Sequence, residues 1–564
     1  MNLNELLAEL FDRGVKLWAD GDQLRIRAPK GVLTPELRDS LGEQKAELLL
    51  LLGQSKMGAS ATDLPLVPIS RKRNLPLSFQ QESMWVMAQF APGSTPLNIT
   101  QAFRLTGQLN IAALQQSLNE IVRRHEALRT TFATVEGKPV QSFSHYGISL
   151  QVVDFQDLNE ADHEDTIKQI ADEEAQQPFD LTQGPLLSFK LMRLGESDHV
   201  LFLVFHHLIS DVFSLGLFIR ELTGLYEAFC IGKPSPLPEI SIQYGDFAVW
   251  QQQWLQSEVL ENNLTYWKKQ LDGAPSVLEL PTDHPRPLVR SFRGAHQLLK
   301  LSPSLWSALK QLSYKQGLTP FMTLLAAFKV LLYKYSGQED ITVGSPTSGR
   351  VHPQIESIIG SFAYPLVLRT NMCGNPSFQE LLGRVREVIL GAYAHQNVPL
   401  GKLVQVTQPL RSMQYNPLFQ VLFGFLGKQL STIKIPGLAL THIAEASRAT
   451  TDMDLFLNMY EVDEELHGLL EYNTDLFNTS TMIRMVGHFQ TLLEGIVANP
   501  AQQLSALPLL TAAERQQLLV MSNGSLLDFD RGNEEPLWTQ LDELSDEEVN
   551  VLLNEMLSEG RIEK

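Results

Sequence analysis

The segment Leu201-Phe202-Leu203-Val204-Phe205-His206-His207-Leu208-Ile209-Ser210-Asp211 drives two imidazoles and a carboxylate off the end of an unbroken apolar run. Imidazole is the side chain that exchanges a proton near neutral pH, and a nearby carboxylate can orient it, so these residues form a candidate acid/base site. A run of this length, rich in Val and Phe, predicts a strand buried on both faces with its end deep in the protein. Successive strand side chains point to opposite faces, so His206 and His207 cannot share one environment and at most one looks into a given cavity. Asp211 follows four residues after His207, where the chain has left the strand and the carboxylate can fold back.

Long elements are needed to hold such a site. Helices are predicted around Ile111 to Ala127 and Thr319 to Tyr335, alternating with strands, which argues for an α/β sandwich of two lobes. Before them, Leu3, Leu6, Leu7, Leu10 and Phe11 follow helical spacing, with Gly14 placed as a C-terminal cap. Val15 to Trp18 and Leu24 to Ala28 alternate in polarity around Asp20-Gly21-Asp22, a hairpin signal. Thr34-Pro35-Glu36 then opens a second helix carrying Leu37, Leu41, Ala46 and Leu49. The reading divides the chain into a unit at 1–55, a linker at 56–74, a first lobe at 75–240, a second at 241–507, a loose stretch at 508–540 and an acidic helical tail at 541–564. In that tail Ser545 and Glu548 make a capping box, and Val549, Leu552, Leu553, Met556 and Leu557 fall on one stripe.

Composition narrows the classes. The chain has 564 residues, 44% hydrophobic and 19% charged, an ordinary globular balance. With 45 Lys and Arg against 64 Asp and Glu, the net charge of −19 disfavours nucleic acid, which is bound through clustered cations. Two cysteines, Cys230 and Cys373, rule out a disulfide framework and a thiolate zinc cluster, and no metal site is expected. No apolar run approaches the roughly 20 residues that span a bilayer, and no secretory signal is visible, so a cytoplasmic protein without membrane partners is expected. No Gly-rich phosphate loop appears.

His-His-x-x-x-Asp after a hydrophobic strand resembles the core motif of condensation domains of nonribosomal peptide synthetases and of the related chloramphenicol-acetyltransferase-like acyltransferases. The resemblance runs from Pro76 to Leu504. Its further segments, in the family's order, are Leu77-Ser78-Phe79-Gln80-Gln81-Glu82-Ser83-Met84-Trp85, Arg124-His125-Glu126-Ala127-Leu128-Arg129-Thr130-Thr131-Phe132, and Tyr244-Gly245-Asp246-Phe247-Ala248-Val249-Trp250. There follow Gly344 to Arg350 with Ile359-Gly360-Ser361-Phe362, then His395-Gln396-Asn397-Val398-Pro399-Leu400 and Asn416-Pro417-Leu418-Phe419-Gln420-Val421. The N-terminal helix-hairpin-helix resembles the docking domains of hybrid peptide and polyketide synthetases. The implied fold is α/β, two chloramphenicol-acetyltransferase-like lobes in a V-shaped pseudo-dimer, preceded by a small α-β-β-α docking domain.

The resemblance implies a free-standing enzyme that joins a donor acyl or peptidyl thioester to the amine of an acceptor aminoacyl thioester, each carried on the phosphopantetheine arm of a partner carrier protein. The chain itself is expected to bind no cofactor. His207 is then the catalytic residue facing the channel, His206 packs behind it, and Asp211 pairs with Arg350 to pin the turn. Lys16, Arg25 and Arg27 are expected to meet an acidic upstream tail, Val549, Leu552 and Leu553 a downstream synthetase, and the docking domain to form a homodimer. The sequence departs from the family at Val212, where Gly is usual and a backbone N–H is a candidate oxyanion donor, and at Tyr364-Pro365, where Asn-Thr is usual. With Ser361, these last two are candidate channel residues. Two other readings stand: an esterifying or free-acceptor acyltransferase, and a scaffold or gate without turnover in which Val212, Tyr364 and Pro365 have altered the channel. Epimerising relatives share the motif but follow a carrier, and cyclising relatives replace the first His.

Overall fold

The computed structural model describes residues 15–20, 23–28, 34, 37, 41 and 66–517, apart from 73, 91–96, 145–146, 255–257, 410–411, 413, 430–431 and 444–449. The expected first helix and the acidic tail with Val549, Leu552 and Leu553 lie outside these residues, as do the side chains of Lys16 and Arg27.

Near the N-terminus β1 (Lys16–Asp20) and β2 (Gln23–Arg27) form the expected antiparallel hairpin. Lys16 sits opposite Arg27 and Trp18 opposite Arg25, which places these four positions on one face. Val15, Leu37 and Leu41 are buried.

The first lobe runs through β3 (Leu75–Pro76), α1 (Phe79–Phe90), β4 (Asn98–Gly107), α2 (Ile111–Arg124), β5 (Thr130–Val135), β6 (Lys138–Phe143), β7 (Gln151–Asp154), α3 (His163–Ala175), β8 (Leu187–Arg193), β9 (Asp198–His206) and α4 (Val212–Cys230). Helices α5 (Tyr244–Trp254) and α6 (Glu258–Leu271) lead to the second lobe. That lobe holds β10 (Gly294–Leu301), α7 (Pro303–Lys315), α8 (Pro320–Ser336), β11 (Asp340–Thr347), β12 (Tyr364–Asn371), α9 (Phe378–Ala394), α10 (Leu400–Thr407), β13 (Val421–Lys428), β14 (Thr432–Ile435), β15 (Leu438–His442), β16 (Leu455–Val462), β17 (Glu465–Asn473) and α11 (Thr479–Ala498).

Each lobe is built on a mixed six-stranded sheet, ordered β14-β15-β4-β9-β8-β7 in the first and β10-β17-β16-β13-β11-β12 in the second. The first sheet is completed by strands from late in the chain. The β14–β15 hairpin crosses over and pairs antiparallel with β4, from Leu438 opposite Gly107 to His442 opposite Phe103. Gly107 has φ +126°, and a Cβ there would lie 2.3 Å from the Gly437 carbonyl oxygen, so the crossing demands glycine.

Strand β9 is central and buried along its length from His199. Leu201, Leu203 and Phe205 belong to the core under α2 and α4, while Val200 and Phe202 join Ile167, Ile170 and Ala171 of α3 on the other face. Phe189, Phe205 and Phe218 meet at ring-centroid distances of 5.2–5.9 Å. Full burial of each such side chain stabilises by roughly 1.5–3 kcal/mol. Helix α8 is held at both ends, by Thr319 as N-cap before Pro320 and by left-handed Gly337 at its C-terminus. Among the described residues no single helix is long and apolar enough to cross a membrane; α7 and α8 reach that length together only across a bend of 106°, and most of α8 is buried in the core of the second lobe.

Candidate active site

Strand β9 ends at His206, and the chain turns at once, with the Ile209 N–H donating to the His206 carbonyl at 3.0 Å. The two imidazoles diverge as strand alternation requires. His206 is 5% exposed, with its Nδ1 accepting the Leu208 N–H at 3.2 Å and its ring against the edge of Phe179. Burial, reinforced by the neighbouring His207 charge, pushes its pKa down to about 3, so this ring is neutral. His207 is half-buried; its backbone N–H is fixed on the Leu97 carbonyl at 2.7 Å, but its Nδ1 is buried without a hydrogen-bond partner among the described residues. Such an imidazole is oriented by its backbone, with neither ring nitrogen hydrogen-bonded among the described residues.

Asp211 is fully buried and accounts for the rigidity of the turn. Its Oδ1 caps α4 by accepting the Ser214 N–H at 2.6 Å, and its Oδ2 accepts the Phe362 and Ala363 N–H groups, both at 2.9 Å. Arg350 also reaches it, at 3.3 Å to Oδ2 and 3.5 Å to Oδ1, and donates at 2.8 Å to the Ser214 hydroxyl while stacking over the Phe362 ring. The carboxylate therefore rests on three backbone amides as well as on Arg350. It joins the β9 turn of the first lobe to the 358–363 segment of the second.

Three more groups grip that segment. His125 accepts the Ile359 N–H on Nδ1 at 3.2 Å and donates from Nε2 to Glu221 at 2.9 Å. Tyr244 donates to the Ser361 carbonyl at 2.6 Å and accepts from Ser78 at 2.7 Å. Ser214 Oγ bonds both the N–H and the carbonyl of Gly360, at 3.1 and 2.9 Å. A Cβ on Gly360 would stand 2.0 Å from the Tyr244 ring. From α1, Gln81 donates to the Leu208 carbonyl at 3.0 Å and so steadies the imidazole turn directly.

The remaining sequence candidates are placed as follows. Val212 is the first residue of α4, with its side chain 40% exposed and no positive φ, so the helix begins without needing glycine there. Its N–H belongs to the first turn, where amides have no intrahelical acceptor. Ser361 is fully buried, its hydroxyl 3.7 Å from the Met84 sulfur. Tyr364 opens β12, donates to the Gln396 carbonyl at 2.6 Å, and lines a small cavity of about 20 Å³ with Trp250, Trp254 and Asn397. Pro365 lies within the same strand, opposite Pro346. Arg25 is exposed on the hairpin. No group of three or more His, Cys, Asp or Glu side chains placed to hold a metal occurs among the described residues.

Sequence reasoning passed over Ser214, His125 and Asp452. The first two lie next to or within recognised motifs. Asp452 precedes β16 in a stretch with no motif of its own, and its carboxyl is close enough for the His207 charge to act on it.

A condensation domain model matches residues 71–519, and a TubC N-terminal docking domain model matches residues 3–54. One of the linear gramicidin synthase proteins of Brevibacillus parabrevis is 46% identical over 488 residues, 86% of this chain and 9% of that protein. Phosphinothricin tripeptide synthetase PhsC of Streptomyces viridochromogenes is 35% identical over 83% of this chain and 44% of its own length. The chain thus spans under half of either relative. Among solved structures, the X-domain from teicoplanin biosynthesis superposes with a TM-score of 0.71 at 26% identity, covering 79% of this chain and 100% of that one.

Proposed function

The chain belongs to the condensation domain family and carries an N-terminal docking domain, and on that premise we propose that it forms an amide bond between two thioesters presented by carrier proteins. The single observation that carries this reading is the half-buried His207 ring, unpartnered at Nδ1 among the described residues, just past the end of a strand buried from His199 onward. The acceptor's amine adds to the donor's thioester carbonyl. As the C–N bond forms, nitrogen loses a proton to His207; as the C–S bond breaks, the departing thiolate is protonated, and the lengthened acyl chain stays on the acceptor arm. α-Amino groups titrate near about 7.7, so a sizeable share of the nucleophile is already neutral and a strong base is unnecessary. A positioned base is worth about 10² to 10⁴ in rate, roughly 3 to 5 kcal/mol of barrier. Holding two tethered reactants together supplies more, on the order of 7 to 11 kcal/mol. The partners are upstream and downstream synthetase subunits, met through the docking hairpin with its exposed Arg25, in the cytoplasm; a docking-domain homodimer fits the same reading.

The test supplies acyl-loaded donor and aminoacyl-loaded acceptor carriers and seeks the joined product by mass spectrometry, with His207→Ala as control. Product that depends on His207 supports the proposal, and product indifferent to the change removes this residue from the chemistry. A second reading, a scaffold without turnover, draws on the likeness to the X-domain, which has been solved in complex with OxyB. Absence of product with every carrier pair favours it.

A further inference from the structure

Away from the imidazole, a residue that precedes both lobes closes the joint between them. Arg71, where the condensation match begins, places one guanidinium on two carboxylates. Its Nε and Nη2 donate to Glu126 Oε2 at 2.9 and 2.7 Å, and its Nη1 donates to Asp246 Oδ1. Glu126 opens the turn after α2 in the first lobe. Asp246 lies in the first turn of α5, whose Tyr244, Phe247 and Trp250 are buried in the core of the second. The Asp246 side chain is 1% exposed, and it also accepts the Ile69 N–H at 2.7 Å and the Gln243 N–H at 2.8 Å. Arg71 further donates to the Ile69 carbonyl and lies over the Phe143 ring, 5.5 Å from its centre. Upstream, Leu66 is buried in the cluster that holds Ala127 of the first lobe with Ile242, Tyr244 and Phe247. The later part of the stretch read as linker is thus fixed to both lobes.

Arginine offers a planar fork that can hold two carboxylates at once, where lysine offers a point charge. Without that cation the two carboxylates, one of them almost wholly out of solvent, face each other as like charges across the joint. Glu126 is the neighbour of His125, which grips the Ile359 N–H, and the same segment carries the Phe362 and Ala363 amides onto Asp211 beside the His207 turn. A shift at Arg71 therefore reaches the imidazole through packed contacts. We propose that Arg71 is the pin of this joint: it sets how far the two lobes stand apart, and it anchors there the leash of the docking domain. Residues 55–65, between the docking match and Leu66, span at most about 40 Å when fully extended, so a partner gripped by that domain is held close to the pivot. Arg71 touches no reacting atom; it is a positioning residue, and its role rests on neither reading of the reaction.

The experiment uses the full chain and its two cysteines, both exposed and one in each lobe, Cys230 at the end of α4 and Cys373 just after β12. Nitroxide labels on the pair report the lobe-to-lobe distance by double electron–electron resonance, and hydrogen exchange read by mass spectrometry reports the amides of 66–71. Arg71→Ala is expected to lengthen and broaden the distance distribution and to speed exchange over that segment. Arg71→Lys, which also serves should the alanine variant fail to fold, falls between it and the wild type. Adding Glu126→Gln to Arg71→Ala removes the like-charge repulsion and shifts the distances back toward the wild type, which a general loss of folding does not do. Faster exchange with an unchanged distance distribution, or no change in either, overturns the assignment, as does a double variant no closer to the wild type than the single one.

Discussion

His206 and His207 are chemically identical and adjacent, and the fold treats them as different residues. One is sealed behind β9 with its Nδ1 committed to a backbone amide; the other emerges half-buried, held by its main chain and bonded through neither nitrogen among the described residues. The difference teaches that two identical adjacent rings are told apart by the hydrogen bonds each is given or spared. A pair of carboxylates repeats the lesson: Asp211 is saturated by three backbone amides and Arg350, while Asp452 has no side-chain donor among the described residues.

The contrast breaks first if the wrong imidazole does the work. His207→Ala lowers the rate of product formation by about 10² to 10⁴ and changes stability by under about 1 kcal/mol, because the ring holds nothing in place; rates from single-turnover assays and a denaturant titration check both halves. Asp211→Ala should do the reverse, costing about 3 to 5 kcal/mol of folding free energy by leaving Arg350 and the Phe362 and Ala363 amides without their acceptor. Soluble, fully stable Asp211→Ala protein would refute the structural role.

His206 sharpens the comparison through pH. Its folded pKa of about 3 lies below the unfolded value of about 6.5. Between the two, the unfolded chain binds a proton that the folded chain refuses, so stability is full above pH 6.5 and falls as pH drops toward 3. At pH 5 the loss from this ring is about 2 kcal/mol, and His206→Gln should flatten the dependence, as urea midpoints at pH 7 and 5 will report. The smallest effect belongs to Val212→Gly. The residue is exposed at the first turn of α4 and needs no positive φ, so the change should cost about 1 kcal/mol or less and leave the rate within a fewfold. A rise of a hundredfold would mean that the valine side chain obstructs the site.

The imidazole strand was legible because a continuous apolar run has one good explanation, and the divergence of His206 and His207 follows from the two-residue period of any strand. Asp20-Gly21-Asp22 likewise announced the β1–β2 hairpin. What escaped the sequence was contact between distant stretches. The pairing of Asp211 with Arg350 that the family resemblance implies is present, but the shorter bonds come from the Phe362 and Ala363 amides, and backbone N–H groups carry no residue identity to read. Valine stands after Asp211 without positive φ for a local reason: that position begins a helix, where β-branching is tolerated and glycine is not required. Asp452 escaped because only the folded chain brings the segment before β16 near His207.

The β14–β15 hairpin has a consequence for how this protein is made. Strand β4 emerges from the ribosome with β9 as its neighbour on one side and bare backbone on the other, until residues 438–442 are synthesised more than 330 positions later. The nascent chain must carry that open edge throughout, a surface prone to wrong pairing. Any splice made between the lobes to build a chimera would likewise exchange one parent's edge strand for the other's, with Gly107 and Gly437 as the junction both parents must share.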